Sequence, residues 1–297
     1  VLLETMTDIY EVKAGILAVK ENSDLPVFVT MTYENNLRTL SGCDPLTMVN
    51  VLEGLNVDVL GVNCSLGPIE LTPIIDQILA AATIPVLLQP NAGLPCLVEG
   101  KTCYNMDKET FVQESLKHVK NGVAIIGGCC GTTPAYVAKL KEMVATVNAS
   151  VVKKKPRQLA VCTPLKTVVV DQPRIVGERI NPTGKKRFKQ ALRDNDMNYI
   201  LSQAIEQIDA GADILDVNVG SPDIDEKEMM VKVIKALQAI VDVPLQIDST
   251  KPEVLEAALR VYNGKPIVNS VNGEEEVLDT ILPIVAKYGG AVIGLAL

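Results

Sequence analysis

The chain has 297 residues, 36 acidic against 28 basic side chains, and a net charge of −8. That sign argues against nucleic acid as a main partner, because phosphate binding needs an excess of Lys and Arg. With no Trp and 3% aromatics there is little to stack bases or sugars on, and no apolar run approaches the ~20 residues that span a bilayer.

Seven cysteines and no basic-plus-apolar leader suggest a reducing, cytoplasmic setting, where the thiols are free or bind metal. The single histidine, His118, excludes any site built on two; in KHVK it reads as a surface or helix-end residue. Both ends, VLLETM and AVIGLAL, read as strands that need neighbours, so the expectation is a window from a longer protein.

In chain order, short β-rich runs alternate with amphipathic stretches, the pattern of βα units around parallel sheets. Strands are expected at 1–6, 26–32, 59–63, 86–89 and 123–127. Helices between them start at Asp8, at Asp44-Pro45 and at Thr133-Pro134, each a cap followed by an apolar stripe or a first-turn proline. Residues 148–173 lose this rhythm and hold the basic run Lys153-Lys154-Lys155-Pro156-Arg157, which reads as a solvated linker. Strands then resume at 174–177, 213–218, 245–248, 266–270 and 291–297, with helices at 195–210, 225–241, 252–262 and 274–288. The expected division is therefore a first domain over 1–147, a linker over 148–173 and a second domain over 174–297. A closed α/β barrel takes ~250 residues, so two complete ones cannot fit. The fold class expected is α/β, two (β/α)8 barrels each partly covered, the C-terminal part of one followed by the N-terminal part of the next. The alternative is two small doubly wound sheets, but no G-x-G-x-x-G follows the first strand of either half.

In such barrels the strand C-termini converge on one mouth and carry the chemistry. In the first half these positions hold Glu4, Asn63-Cys64, Asn91 and Gly127-Gly128-Cys129-Cys130. In the second they hold Glu178, Asn181, Asp216, Asn218, Asp248 and Asn269-Ser270, with no cysteine. Cys64, Cys129 and Cys130 could hold Zn²⁺ in three tetrahedral positions and leave the fourth open to a substrate; buried structural thiols are the alternative. Cys43, Cys96, Cys103 and Cys162 stand alone in loops or the linker and are read as non-ligands. The second set offers acceptors and amide donors suited to a flat heterocycle with N–H donors, such as a pterin, or carboxylates for a divalent metal.

VNCSLGP, QPNAG and IGGCCGTTPAYV closely resemble the homocysteine S-methyltransferase family. VGERINPTG, ILDVNVGSP, LQIDST and IVNSVNGE resemble the pterin-binding family that includes dihydropteroate synthase and corrinoid methyltransferases. Joined in this order they look like the N-terminal modules of the cobalamin-dependent methionine synthases, a likeness covering essentially the whole chain. The resemblance implies that Cys64, Cys129 and Cys130 are catalytic zinc ligands and that Glu4, in LLETM, contacts the amino group of homocysteine. It places Glu178, Asn181, Asp216, Asn218, Asp248 and Asn269 on the pterin. It implies a methyltransferase of methionine biosynthesis that uses Zn²⁺, 5-methyltetrahydrofolate as donor and methylcobalamin held by a domain in cis or trans. No D-x-H-x-x-G corrinoid motif is present, since the one histidine sits in KHVK. The early D-G-A/G-M-G strand and the late pterin-barrel strands are expected outside the chain, so the piece alone should not turn over. Alternatives are a related two-barrel methyltransferase with another donor or carrier, and a non-catalytic zinc- and pterin-binding module.

Overall fold

Apolar strands alternate with capped helices throughout the computed structural model, which describes residues 1–147 and 156–296. The chain folds as two compact units, Val1–Gln158 and Leu159–Leu297. The lysine run at 153–155 and the last residue of the expected final strand, Leu297, lie outside the described residues. Among the described residues no helix is long and apolar enough to cross a membrane.

The first unit runs β1 (Leu2–Met6), α1 (Ile9–Asn22), β2 (Phe28–Met31), α2 (Pro45–Gly54), β3 (Val59–Asn63), α3 (Thr72–Ala81), β4 (Val86–Gln89), β5 (Pro95–Val98), β6 (Lys101–Tyr104), α4 (Lys108–Asn121), β7 (Ile125–Ile126) and α5 (Pro134–Val144). Its main sheet is five-stranded and parallel, in the order β1-β2-β3-β4-β7. The helices begin where the sequence signals them: Asp8 accepts from the amides of Tyr10 and Glu11, and Asp44 caps α2 ahead of Pro45. Ile9, Val12, Ile16 and Leu17 form the buried stripe of α1, each contributing about 1.5–3 kcal/mol by leaving water. Every residue of β3 is buried, as befits a strand covered on both faces.

The second unit runs β8 (Ala160–Cys162), β9 (Thr167–Val169), β10 (Val176–Ile180), α6 (Lys186–Asp194), α7 (Met197–Asp209), β11 (Ile214–Val217), α8 (Glu226–Gln238), β12 (Leu245–Asp248), α9 (Pro252–Val261), β13 (Ile267–Val271), α10 (Glu275–Tyr288) and β14 (Ala291–Gly294). Its sheet is again five-stranded and parallel, β10-β11-β12-β13-β14. In both sheets spatial order follows chain order. A doubly wound sheet must reverse its order at a switch point, and neither sheet does, so the partial-barrel expectation holds over the doubly wound alternative.

Two antiparallel hairpins were not read from the sequence. β5–β6 turns through Glu99 and Gly100, both at positive φ, and sets Cys96 directly opposite Cys103, so these two thiols are register partners rather than isolated loop residues. β8–β9 lies within the segment expected as linker. Its Val161 and Val168 pack on Ile214, with Ile267 and Ala291 alongside, which closes the N-terminal end of the second sheet. Cys162 exchanges backbone hydrogen bonds with Lys265 (2.8 and 3.0 Å), and the Tyr262 hydroxyl donates to the Cys162 carbonyl at 2.9 Å. His118 stands in the last turn of α4, as a helix-end residue would, but is 2% exposed rather than at the surface. Its Nε2 meets the Pro68 carbonyl at 2.7 Å, and burial lowers its pKa.

Gly61 lies where β3 runs against β4: a Cβ there would stand 1.8 Å from the Leu87 carbonyl oxygen. Overpacking of this kind costs about 1–3 kcal/mol and occasionally more. Gly61→Ala should lower the urea midpoint of the first unit and loosen the neighbouring strand end; a parent-like midpoint would contradict the close approach.

Candidate functional site

The first mouth is built on hydrogen-bond register. Asn63 pairs with Gln89 and Leu88 with Ile126, so the ends of β3, β4 and β7 are neighbours. Past those ends the backbone stays tied: the Cys64 amide donates to the Gln89 carbonyl at 3.0 Å and the Cys129 amide to Pro90 at 2.8 Å. Cys64 and Ser65 then take left-handed conformations, φ 63° and 54°. Such conformations cost a non-glycine residue about 1–3 kcal/mol each, and they persist because the surrounding bonds fix the turn.

The sulfurs of Cys64, Cys129 and Cys130 lie within 4.8 Å of one another, and Cys64 and Cys130 stand 3.6 Å apart. Tetrahedral zinc with Zn–S bonds of ~2.3 Å needs sulfurs about 3.8 Å apart, so the donor set fits that metal. The three thiols differ in environment. Burial, then the neighbouring Cys64, pushes Cys129 up to about 12, whereas a hydrogen bond from Tyr104 pulls the more exposed Cys130 below the usual thiol value. Metal binding would deprotonate all three.

Two buried amides hold this arrangement. Asn63, 1% exposed, accepts from the Thr5 amide and the Thr30 hydroxyl (both 2.8 Å), and its Nδ2 donates to Thr5 Oγ1 at 2.7 Å and toward Cys129 Sγ at 3.9 Å. Asn91, 3% exposed, accepts from the Cys130 amide at 3.1 Å. Glu4 is exposed on β1, next to Thr5, and its carboxylate makes no hydrogen bond or ion pair among the described residues. Cys43 and Cys162 are buried, and the group of converging thiols consists of Cys64, Cys129 and Cys130.

The second mouth is built the same way and filled with acids. Asp216 pairs in register with Gln246, and Asp248 with Asn269. Asp216, 1% exposed, accepts through Oδ1 from Gln246 Nε2 (2.5 Å) and Asn269 Nδ2 (3.2 Å), while its Oδ2 is buried with no hydrogen-bond partner among the described residues. Asp248 accepts from Asn218 Nδ2 at 2.9 Å, and Glu178 from Asn181 Nδ2 at 2.8 Å. Burial is the largest cause raising the carboxyl pKa of both Asp216 and Asp248, and neighbouring carboxylates add to it. The six residues expected here thus fall into linked groups with one orphaned acceptor, an arrangement that calls for an N–H donor.

Sequence reading missed two members. Gln246 faces the same way as Asp248, since residues two apart on a strand share a face; that period was legible. Glu226 opens α8 and accepts from the Ser249 hydroxyl at 2.6 Å, with Lys251 Nζ 2.8 Å from its other oxygen. Nothing local in its stretch distinguishes it from an ordinary first-turn acid.

Comparison with known proteins sorts the two units. Residues 1–144 match the family model described as homocysteine S-methyltransferase, and residues 177–296 that of pterin binding enzymes. The chain is 30% identical over 315 residues to methionine synthase of Mycobacterium leprae (strain TN), and 30% over 310 residues to that of Mycobacterium tuberculosis (strain ATCC 25618 / H37Rv). Each alignment covers 100% of this chain and 26% of the relative, so the chain spans about a quarter of their length. Among solved structures, the oxidised homocysteine methyltransferase MmuM from Escherichia coli is 22% identical over 48% of this chain and 44% of that one, with a TM-score of 0.40.

The raised pKa of Asp216 has a consequence for stability. The folded chain holds that proton at pH values where the unfolded chain, near a carboxyl pKa of about 3.9, has lost it. Stability from this group is therefore full below the unfolded value and lost as pH rises through the folded one. Asp216→Asn should remove that decline, gaining stability over the parent at about pH 7 but not at about pH 3, where both carry a neutral side chain. Urea unfolding at the two pH values reads the difference; an equal shift at both would show that the charge of Asp216 is not the cause.

Proposed function

We propose that this chain, which joins a homocysteine S-methyltransferase domain to a pterin-binding domain, is the substrate-binding part of a methionine synthase-type methyltransferase. The reaction is transfer of the methyl group of 5-methyltetrahydrofolate, by way of cobalamin, to homocysteine. The observation that carries this reading is the cluster of three thiols at neighbouring parallel strand ends, sulfurs within 4.8 Å. Cores place single cysteines readily, but three converging at an open strand end, with Cys130 exposed, form a ligand set with room for one more sulfur.

In this reading Cys64, Cys129 and Cys130 hold Zn²⁺. The bound metal supplies Lewis acidity that lets a thiol in the open position lose its proton at neutral pH. Asn63 and Asn91 keep the three sulfurs together by binding the turns that carry them. Glu4, exposed beside Thr5, takes the amino group of homocysteine and so orients the thiol toward the cluster. In the second domain, Asp216 and Asp248 accept from the N–H edge of the pterin, while Asn218 and Asn269 orient them and Glu178 with Asn181 lines the rim. Donor and acceptor sites lie on different domains, so a carrier must move the methyl group; cobalamin is the carrier the sequence resemblance implies, held outside the residues described.

Two measurements test the proposal. The purified protein should contain about one zinc per chain, and Cys64→Ala, Cys129→Ala or Cys130→Ala should release it, because two remaining ligands are too few for a tight site. Cys96→Ala, on the hairpin, should keep it; full retention in all three cluster variants would remove the metal site. A charge-assisted hydrogen bond contributes roughly 1.5–3 kcal/mol, so Asp248→Asn should weaken 5-methyltetrahydrofolate by about ten- to a hundredfold and leave zinc content unchanged. Equal affinity in the variant and the parent would make Asp248 a strand cap and not a pterin contact.

A further inference from the structure

In the second unit β10 is followed by two helices, whereas β11, β12 and β13 are each followed by one. The extra helix, α6, is fastened at the rim of the second mouth. Its start is tied to site residues at the end of β10: Lys185 Nζ donates to the Glu178 carbonyl at 2.8 Å, and the Thr183 amide to Asn181 Oδ1 at 2.8 Å. Its last turn is tied to the loop that leaves β11, where Arg193 Nε donates to Asp223 at 3.0 Å. From Lys185 to Arg193 the sequence KKRFKQALR holds five cations and no acid, on a chain whose net charge is −8. Lys185 and Arg193 are engaged as described, and Arg187 lies 3.2 Å from Asp196 and over the Tyr199 ring. Lys186 is exposed and Lys189 partly so, and neither side chain makes a hydrogen bond or ion pair among the described residues. Three positions apart on a helix, they share one face. The other rim segments are acidic, with Asp225 and Glu226 after β11 and Glu274 after β13, while Lys251 after β12 is paired with Glu226.

We propose that Lys186 and Lys189 bind the glutamate tail of the folate, so that the second unit takes γ-linked polyglutamates of 5-methyltetrahydrofolate in preference to the monoglutamate. The proposal rests on the pterin reading above and extends it from the ring to the far end of the same substrate. A folate carries its pterin and its glutamate at opposite ends of a p-aminobenzoyl spacer. With the ring on Asp216 and Asp248, the tail leaves the mouth across the rim. On the β11 and β13 sides its carboxylates would meet acids, and like charges repel. The start of α6 is the rim segment, among the described residues, where positive charge is in surplus. Each added γ-glutamyl residue brings one more carboxylate, so a longer tail can engage both ammonium groups at once.

Titration calorimetry can compare 5-methyltetrahydrofolate with its triglutamate, alongside 6-methyltetrahydropterin, which has the ring and no tail. In the parent the triglutamate should bind about fivefold tighter than the monoglutamate at low ionic strength, the scale of two exposed ion pairs. That preference should fade at about 0.5 M salt, where such pairs are screened. Lys186→Gln/Lys189→Gln should abolish the preference and bind 6-methyltetrahydropterin as the parent does. Lys232→Gln/Lys235→Gln, at exposed positions of α8, removes the same charge and should keep the preference, which separates a local site from attraction by net charge. No preference in the parent, a preference that survives in Lys186→Gln/Lys189→Gln, or an equal loss in the α8 variant would overturn the tail site and leave the pterin reading standing. Failure of the parent to bind either 6-methyltetrahydropterin or 5-methyltetrahydrofolate would overturn both.

Discussion

The side chain of Asn63 ties together groups that would otherwise have no reason to meet. Its carbonyl takes a backbone amide from β1 and a hydroxyl from β2, and its amide returns a bond to β1 while facing the sulfur of Cys129. Completely buried amides are costly unless satisfied, and here the satisfaction comes only if the strand ends stand in the observed register. The requirement for paired polar atoms thereby becomes a requirement on the placement of the next residue, Cys64. Everything chemical in the first unit follows from that: the left-handed turn at Cys64 and Ser65, the approach of the cysteine turn, and the anchoring of that turn on Asn91.

The second unit meets the same problem with charge in place of sulfur. Burial, helped by neighbouring carboxylates, raises the affinity of Asp216 and Asp248 for protons, and the Gln and Asn donors around them satisfy some of their oxygens but not all. Such a cluster is held at a cost in stability, because carboxyl groups are buried beside one another. A ligand bringing N–H groups relieves the repulsion, and its binding is then also a gain in folding free energy.

Much of this was legible in the sequence because strand ends in parallel α/β proteins are marked twice, by an apolar run that stops and a polar residue that follows. Cys64, Cys129, Cys130, Asp216 and Asp248 were singled out as candidates that way. What escaped did so for physical reasons. The β5–β6 hairpin is exposed, with Leu97 at 78% and Val98 at 53%, so it lacks the alternation that burial of one face imposes. His118 looked like a surface residue among lysines, yet its neighbours in the helix, Ser115 and Val119, are the ones turned inward with it. Glu226 reaches its mouth from a helix, and strand-end reasoning does not look there.

The β8–β9 hairpin changes where the second domain begins. Rhythm alone puts its start at Arg174, where β-rich sequence resumes. The hairpin upstream covers the floor of that sheet, with Val161 and Val168 lying on Ile214 and within the group that includes Ile267 and Ala291. A protease nick or an engineered truncation just before Arg174 would leave the sheet intact but strip its floor, wetting the apolar starts of β11, β13 and β14. The second compact unit opens at Leu159, and the hairpin within the stretch that looked like a tether is the closing plate of the sheet it leads into.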